Sequence, residues 1–208
     1  MSEGEQLAVE AAGRLGLFKA VAGFFRKALN LGAQDAGKTV EQDLQKDLAK
    51  DIHLPTKDMN PRFAGENLPG NSIWGGNGVK YLSEEERGAY QLFVKDGKLY
   101  DAEGNLFDTS GAMTVHSGQG RAIFVMDEHG NLYASNYQEV GAFHHSSLLA
   151  GEPVAGAGEL QVSTGEIQVI SDKSGHYMPT HDYTVQTVNH LRSLGLSIGD
   201  SQIEFWSP

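Results

Sequence analysis

Residues 122–135 read AIFVMDEHGNLYAS and contain the clearest secondary-structure signal in the chain. Two apolar segments, Ile123–Met126 and Leu132–Ser135, flank a turn rich in polar residues and glycine, an arrangement typical of a β-hairpin. The same arrangement occurs twice more, at Tyr90–Val94 with Lys98–Tyr100 and at Glu159–Val162 with Glu166–Ser171. The sequence therefore predicts three antiparallel hairpins.

Helices are predicted on both sides of this β-rich region. A short helix begins after Ser83, because Glu86 three residues later completes a capping box. A longer helix is predicted from Thr180 to Leu194, and Gly195 ends it. Its buried face is expected to contain Val185, Val188, Leu191 and Leu194. With a final strand at Gln202–Trp206, the predicted class is α+β, a domain rich in antiparallel hairpins and flanked by helices.

The first 57 residues differ from the rest in charge and pattern. Residues 1–57 carry eight acidic and eight basic residues, whereas residues 58–208 carry nineteen acidic and eight basic residues and the whole net charge of −11. Amphipathic spacing predicts a helix along Leu7–Leu29 and a second helix opened by a capping box at Thr39. A basic amphipathic helix can lie on a membrane surface, but matching apolar stripes favour a packed helical hairpin. We expect a helical N-terminal segment at 1–57 and a domain at 58–208, with a connector at 53–79.

Composition excludes several classes of function. The chain has no cysteine, which removes disulfides, cysteine-ligated metals and a thiol nucleophile. No run of about 18 apolar residues occurs and the N-terminus is acidic, so neither a transmembrane segment nor a signal peptide is expected. The acidic balance argues against broad nucleic-acid binding.

Residues 141–151, GAFHHSSLLAG, are the most unusual stretch. They are predicted to form a strand in which His144 and Ser146 point one way and His145 and Ser147 the other. The inward pair either faces a cleft or satisfies buried backbone groups. We favour a functional site, since two histidines and two serines are a costly way to fill a core.

Three further segments contain candidate residues. Ser174-Gly175-His176-Tyr177 is expected to present His176 and Tyr177 at a turn, either as a wall of a site or as a turn with a packed aromatic ring. His116 and Arg121 flank a glycine-rich loop, although a strand follows that loop and the lysine of a phosphate-binding loop is missing. Glu204 lies in a Gln-x-Glu pattern, which a polar edge strand explains equally well.

A metal site is not expected. His144, His145 and His176 are the available ligands, but neighbouring residues of a strand point to opposite faces.

An ordered set of motifs between residues 58 and 197 resembles a known domain. These motifs are Lys80-Tyr81-Leu82-Ser83, Glu86-Arg87, Asp96–Asp101, Phe107-Asp108-Thr109, Arg121–Asp127, Phe143–Gly151, Ala157-Gly158-Glu159 and Ser174–Pro179. They resemble the C-terminal domains of Rhs-type polymorphic bacterial toxins and a domain shared with plant IQ-motif calmodulin-binding proteins. The sequence has no IQ helix, so the resemblance does not extend to calmodulin binding.

The toxin resemblance implies a secreted effector, delivered into the cytoplasm of a target cell in interbacterial competition. It implies a carrier Rhs-type protein, a cognate immunity protein and a target macromolecule, either protein or RNA. Among such toxins, the layout is similar to that of ADP-ribosyltransferases, which use NAD as substrate and need no metal. The residues expected to be catalytic are His144, His145, Ser146, His176, Tyr177 and Glu204. Those expected to bind NAD are His116, Arg121, Ser147 and Gly151.

Two alternatives remain open. One is a metal-free ribonuclease, in which His145 and His176 act as base and acid while Arg121 holds the phosphate. The other is a non-catalytic protein-binding module, suggested by the plant relatives.

Overall fold

A computed structural model describes residues 42, 43, 45–47, 49 and 51–206 of the chain. The chain divides into two compact units after Ile52, and the elements named below belong to the second unit. The described residues between 42 and 49 are helical. The predicted helix at Leu7–Leu29, the capping residue Thr39 and hence the predicted helical hairpin lie outside the described residues. The division into segments 1–57 and 58–208 stays a prediction.

The described part of the second unit has the mixed α+β composition that the sequence predicts. Its strands are β1 (Gln91–Lys95), β2 (Lys98–Tyr100), β3 (Met113–Thr114), β4 (Gly118–Gln119), β5 (Ala122–Met126), β6 (Leu132–Ser135), β7 (Gly156–Ser163), β8 (Glu166–Ser171) and β9 (Ile203–Glu204). Its α-helices are α1 (Glu84–Arg87), α2 (His145–Leu148) and α3 (His181–Ser193). Short 3-10 helices lie at Pro61–Phe63, Gly88–Tyr90 and Asp200–Gln202.

Seven strands form one curled sheet in the order β2-β1-β6-β5-β7-β8-β9, and β3 and β4 form a separate hairpin. The three predicted hairpins are confirmed as β1–β2, β5–β6 and β7–β8, all antiparallel. Only β9 among these strands pairs in parallel, with β8. The amide of Leu99 in β2 donates to the carbonyl of Gly165 in the β7–β8 turn, at 2.8 Å, and so brings the two sides of the sheet together.

The sheet separates two buried clusters of apolar side chains. One lies on the α3 side and includes Leu99, Phe124, Met126, Leu160, Ile170, Val188 and Leu191. The other lies on the α2 side and includes Ile123, Val125, Phe143, Leu148, Val154 and Tyr177. Strand β5 is buried along its whole length, because its side chains alternate between the two clusters.

Helix α3 confirms the predicted helix but buries a different face. Val185 is 43% exposed, whereas Thr184 and Thr187 are buried, so the expected burial of Val185 is wrong. Thr187 tolerates burial because its hydroxyl donates to the carbonyl of Tyr183 at 2.8 Å. The helix ends as predicted at Gly195, which has a φ of 106°.

The predicted final strand is shorter than expected. Only Ile203–Glu204 is extended within the sheet, because residues 200–202 form a 3-10 turn. The side chain of Gln202 fixes this turn by accepting from the amide of Gly199 at 2.6 Å and donating to the carbonyl of Ile167.

The predicted strand through His144–Ser147 is wrong, since these residues enter and form helix α2. His144 occupies the N-cap position, and its amide donates to the hydroxyl of Ser147 at 2.9 Å. This capping contact stabilises a helical turn in place of an extended strand. All four polar side chains are buried, His144 at the N-cap and the other three within the helix, rather than divided between the two faces of a strand.

The segment at 53–79 is more than the expected connector. Phe63 and Glu66 are buried within the second unit, together with Val79. The amide of Val79 donates to the carbonyl of Glu66 at 2.9 Å and closes the loop between them. None of the helices in the described part of the chain has the length and apolar content needed to cross a bilayer.

We expect Gly158→Ala to destabilise the protein strongly. A Cβ at this position would overlap the carbonyl oxygen of Ser171 on the neighbouring strand. The backbone of two sheet strands cannot separate locally without cost, so the expected loss in the free energy of unfolding is about 3 kcal/mol. Urea unfolding measures it. Gly111→Ala is the control, because its added Cβ would meet no atom within 4 Å, and equal stability of the two variants would contradict the packing described.

Candidate functional site

The site is built around the carboxylate of Glu66, whose side chain is completely buried. One oxygen accepts from the Ser146 hydroxyl at 2.5 Å and from Tyr81 at 3.4 Å. The other accepts from the indole N–H of Trp74 at 2.8 Å and from Nε2 of His176 at 3.0 Å. These five residues are called the Glu66 cluster below. Their four donors come from four separate parts of the chain.

The loop at 66–79 positions Trp74 over the carboxylate. Asn71 organises this loop, since its side-chain oxygen accepts from the amides of Ile73 and Trp74, at 3.0 and 2.8 Å. Its side-chain amide donates to the carbonyls of Glu66 and Leu68, each at 2.9 Å. A single asparagine therefore satisfies four backbone groups of a loop that has no regular structure.

Helix α2 positions Ser146. The amide of Leu82 donates to the carbonyl of Ser147 at 3.0 Å, and the amide of Gly151 donates to that of Ser146 at 2.9 Å. Gly151 has a φ of 77°, and a side chain there would meet the ring of Tyr81. Gly151 is thus required for the close approach of Tyr81 to the cluster, and its expected role in binding NAD stays a prediction.

The turn at 174–178 positions His176. The amide of Met178 donates to the carbonyl of Ser174 at 2.7 Å, and the amide of Tyr177 donates to the hydroxyl of Ser174 at 3.3 Å. The hydroxyl of Tyr177 donates to the carbonyl of Glu152 at 2.9 Å, and burial raises its pKa. Tyr177 is therefore a packed and bonded ring beneath the turn.

Four rings stack beside the carboxylate. The ring centroids of Phe63 and His176 lie 4.0 Å apart, those of His176 and His144 lie 4.6 Å apart, and those of His144 and Trp74 lie 5.0 Å apart. This stack fixes the plane of His176, so that its Nε2 points at Glu66.

The hydrogen bonds keep Glu66 ionised despite its burial. Burial alone would raise the pKa of Glu66, but the bonds from His176, Ser146 and Trp74 together hold it below its ordinary value of 4.5. Because a carboxylate only accepts, Nε2 of His176 carries the proton of this bond. Burial and the neighbouring Glu66 charge raise the pKa of Tyr81 to about 12.

His144 and His145 are neutral at pH 7. Burial and the nearby His176 lower the pKa of His144 to about 4, and its Nε2 accepts from the amide of Gly141 at 2.9 Å. Burial lowers the pKa of His145 to about 3, and its Nε2 donates to the carbonyl of Gly158 at 2.9 Å. Both rings use Nε2 to satisfy backbone groups.

The hydrogen bonds of the cluster hold its polar side chains in fixed orientations around Glu66. The hydroxyl of Ser146 donates to the carboxylate of Glu66, whose lowered pKa makes it a weaker base than an ordinary glutamate. His145 is directed at the backbone of β7, away from the carboxylate. The arrangement stabilises one geometry of four chain segments.

The remaining predicted residues lie in a second group. Arg121 forms a bidentate ion pair with Glu204, at 2.7 and 3.0 Å, which raises the pKa of Arg121 and lowers that of Glu204. The exposed ring of His116 lies 5.7 Å from that of Trp206. The structure therefore joins His144, Ser146 and His176 with Glu66, and pairs Arg121 with Glu204 separately.

Sequence reasoning missed Glu66 and Trp74. The prolines and glycines of 53–79 indicated a connector, and a single glutamate in such a segment carries no pattern. Tyr81 had a signal, because it lies in one of the recurring motifs. Within the described residues no group of three or more histidine, aspartate or glutamate side chains is arranged to hold a metal ion.

We expect Glu66→Gln to lower the free energy of unfolding by about 3 kcal/mol, since an amide group would face donors that now bind a carboxylate. Chemical unfolding at pH 7 measures this. Glu103→Gln, in an exposed turn, is the matched control and should change little. A Glu66→Gln protein as stable as that control would show that the cluster does not stabilise the fold.

Stability should also decrease on acidification. The unfolded chain takes up protons at His144 and His145 near pH 6.5, but the folded chain resists until about pH 4 and about pH 3 respectively. Unfolding therefore becomes easier as the pH falls from 6.5 to 4, and the contribution of Glu66 is lost below 4.5. Urea midpoints at stepped pH, with NMR titration of the imidazoles, test this. Either buried imidazole titrating near 6.5 in the folded protein would contradict it.

Comparison with known proteins finds similarity to one family. The family model described as IQ motif-containing protein middle domain matches residues 86–184. IQ domain-containing protein IQM2 of Arabidopsis thaliana is 35% identical over 123 residues, which cover 59% of this chain and 20% of IQM2. IQ domain-containing protein IQM3 of the same plant is 32% identical over 126 residues, covering 60% of this chain and 26% of IQM3. No solved structure matches the chain.

These matches overturn the identification of the chain as an Rhs-type toxin domain. The similar proteins are plant IQ-domain proteins, so the toxin activity, the carrier, the immunity protein and delivery as a bacterial effector are wrong. The physical reason for the wrong identification is the structural role of residues in the shared motifs. Ser146 and His176 lie in two of these motifs and bind Glu66, so residues of the shared motifs stabilise the fold.

The ADP-ribosyltransferase-like fold is not confirmed, and NAD as a substrate stays a prediction. The chain spans about a fifth to a quarter of the length of the plant proteins it matches. What the chain shows is similarity, over residues 86–184, to the middle domain of IQ motif-containing proteins.

Proposed function

We propose that the second unit is a non-catalytic protein-binding module. The observation that carries this proposal is a group of exposed apolar side chains on the β3–β4 hairpin and the neighbouring segment 136–140. The side chains are Met113, Val115, Tyr137 and Val140, with exposures of 54%, 50%, 53% and 57%. They are called the hairpin patch below. Single exposed apolar residues are ordinary, but a fixed group of four is typical of an interaction surface.

Backbone contacts hold the two halves of the hairpin patch together. The amide of Met113 donates to the carbonyl of Asn136 at 3.2 Å, and the amide of Val115 donates to the side chain of Gln138 at 2.8 Å. The ring of Tyr137 lies 5.8 Å from that of Phe143. A surface fixed in this way loses little conformational entropy when a partner binds, which favours affinity.

Charge indicates the chemistry of the partner. Residues 58–208 carry nineteen acidic and eight basic residues. Glu139 accepts from the hydroxyl of Tyr137 within the patch, and Asp108 lies beside Asn136. Hydrogen bonds from Ser110 and Thr164 lower the pKa of Asp108 to about 2. A segment with apolar residues at its centre and lysine or arginine around them complements this surface.

The buried polar residues support the same proposal. Ser146 and His145, the most reactive groups expected of an enzyme, are fully buried and hydrogen-bonded to Glu66 and to the carbonyl of Gly158. We propose that they serve the fold, and that binding takes place at the hairpin patch. The similar plant proteins are named for an IQ domain and not for a reaction, and the matched part is a middle domain of a longer chain.

Selection from a phage-displayed library of random peptides tests this function. We expect enriched peptides in which apolar residues are flanked by lysine or arginine. Val115→Ser combined with Val140→Ser should weaken the enriched peptides about tenfold or more, because it removes apolar area at the centre of the surface.

Val185→Ser is the matched control, since this valine is similarly exposed but lies on α3. Its binding should equal that of the unchanged protein. The absence of enriched peptides, or equal binding by the patch variant, would contradict the proposal. Concentration-dependent self-association removed by the patch substitutions would identify a second copy of the chain as the occupant instead.

A further inference from the structure

Glu159 in β7 is a completely buried carboxylate with no hydrogen bond to either oxygen among the described residues. By contrast, the buried carboxylate of Glu66 accepts hydrogen bonds from four donors. A buried charge without partners costs several kcal/mol, so such a group requires an explanation. In the described part of the chain, no other buried carboxylate is left in this state.

The position of Glu159 in the sheet shows which groups lie around it. It pairs with Ile123 of β5, and its backbone contacts the hydroxyl of Ser171 of β8, at 3.3 and 3.4 Å. Ser171 in turn pairs with Glu204 of β9. Paired residues point to the same face of a sheet, so Glu159 lies in a row that ends at Glu204, near the edge of the sheet.

The charged groups along this row have an excess of carboxylate. Arg121 is close enough for the Glu159 charge to affect it, but its hydrogen bonds go to Glu204. Lys173 donates to the hydroxyl of Ser117 at 3.1 Å, and Asp172 accepts from the amide of Trp206 at 2.5 Å. Three carboxylates, those of Glu159, Asp172 and Glu204, therefore accompany two cations.

Two aromatic rings lie at the exposed end of this region. Trp206 is 51% exposed, and its ring lies 5.7 Å from that of His116. The space beside Gly175 is open, because an added Cβ would meet only Nε2 of His116, at 3.9 Å. Aromatic faces attract organic cations, so these rings favour the approach of such a group.

We propose that Glu159 is the anionic anchor of a binding site for an organic cation, a guanidinium or an ammonium group. A guanidinium provides two parallel N–H donors that match the two unsatisfied oxygens. A metal ion fits less well, since the charged neighbours Arg121 and Lys173 are cations rather than ligands. In this proposal, the ion pair of Arg121 with Glu204 separates to admit the ligand.

Our inference about which molecule supplies the cation rests on the proposed function. Ser117 lies in the turn of the same hairpin that contains Met113 and Val115. An arginine or lysine side chain of a peptide on the hairpin patch is therefore near the Glu159 site. A free polyamine presents the same chemistry and is distinguished by the experiment.

Titration calorimetry with defined probes tests the site in the full chain. The probes are the blocked peptide acetyl-Gly-Arg-Gly-amide, its citrulline counterpart and spermidine. We expect saturable binding of the arginine peptide, none of the neutral citrulline peptide, and binding weakened about tenfold or more by Glu159→Gln. Glu166→Gln is the matched control, because this glutamate is exposed on the neighbouring strand β8.

A second measurement separates a binding role from a structural one. Glu159→Gln should raise the urea midpoint of the ligand-free protein, since it removes an unpaired buried charge. A carboxylate needed for folding would instead give a lower midpoint, which would overturn the proposal. Carbon-13 NMR of labelled glutamate should show the Glu159 carboxyl signal shifting when the probe binds.

Binding of spermidine alone, dependent on Glu159, would support the site and assign it to a free amine. No saturable binding of any probe by the unchanged protein, or equal binding by Glu159→Gln, would overturn the site. Neither result affects the hairpin patch, because the patch is tested with different peptides and the substitutions at Val115 and Val140. The two proposals therefore fail separately.

Discussion

The buried carboxylate of Glu66 is the constraint on which the rest of the site depends. Its four donors, Trp74, Tyr81, Ser146 and His176, come from an irregular loop, the segment before α1, helix α2 and the turn after β8. Each donor keeps its geometry only while the carboxylate remains ionised, since a protonated acid accepts fewer bonds. One charge thus connects four segments that share little regular structure, and the hydrogen bonds compensate the cost of its burial.

The sequence predicted the parts of the fold that depend on local pattern. The hairpins, the capping box at Ser83 and the end of α3 at Gly195 all follow from turn and cap residues, which act within a few positions. The sequence did not predict α2, because the polar run at 144–147 contains no apolar period, and a strand and a helix fit it equally well. The contact that decides between them is a single bond from the His144 amide to Ser147.

The sequence predicted two of the five residues of the Glu66 cluster and did not predict how they are organised. Ser146 and His176 were identified because hydroxyls and imidazoles are rare in apolar segments, yet their shared partner Glu66 is 80 and 110 positions away. Such long-range pairing leaves no trace in spacing or period. The same rarity does not decide their role, since residues capable of catalysis also satisfy buried groups, and their partners can be identified only in the structure.

Two buried glutamates differ in the hydrogen bonds that their carboxylates accept. Both Glu66 and Glu159 are fully buried, but the carboxylate of Glu66 accepts four hydrogen bonds from side chains, whereas that of Glu159 accepts none from the described residues. Arg121 is near enough to Glu159 to be affected by its charge, but it pairs with the more exposed Glu204. In our proposal, a buried carboxylate without hydrogen bonds does not contribute to the stability of the ligand-free protein. The Glu159 carboxylate stabilises the protein only when a cation from outside the chain binds it. The free energy of that pairing then appears as binding affinity.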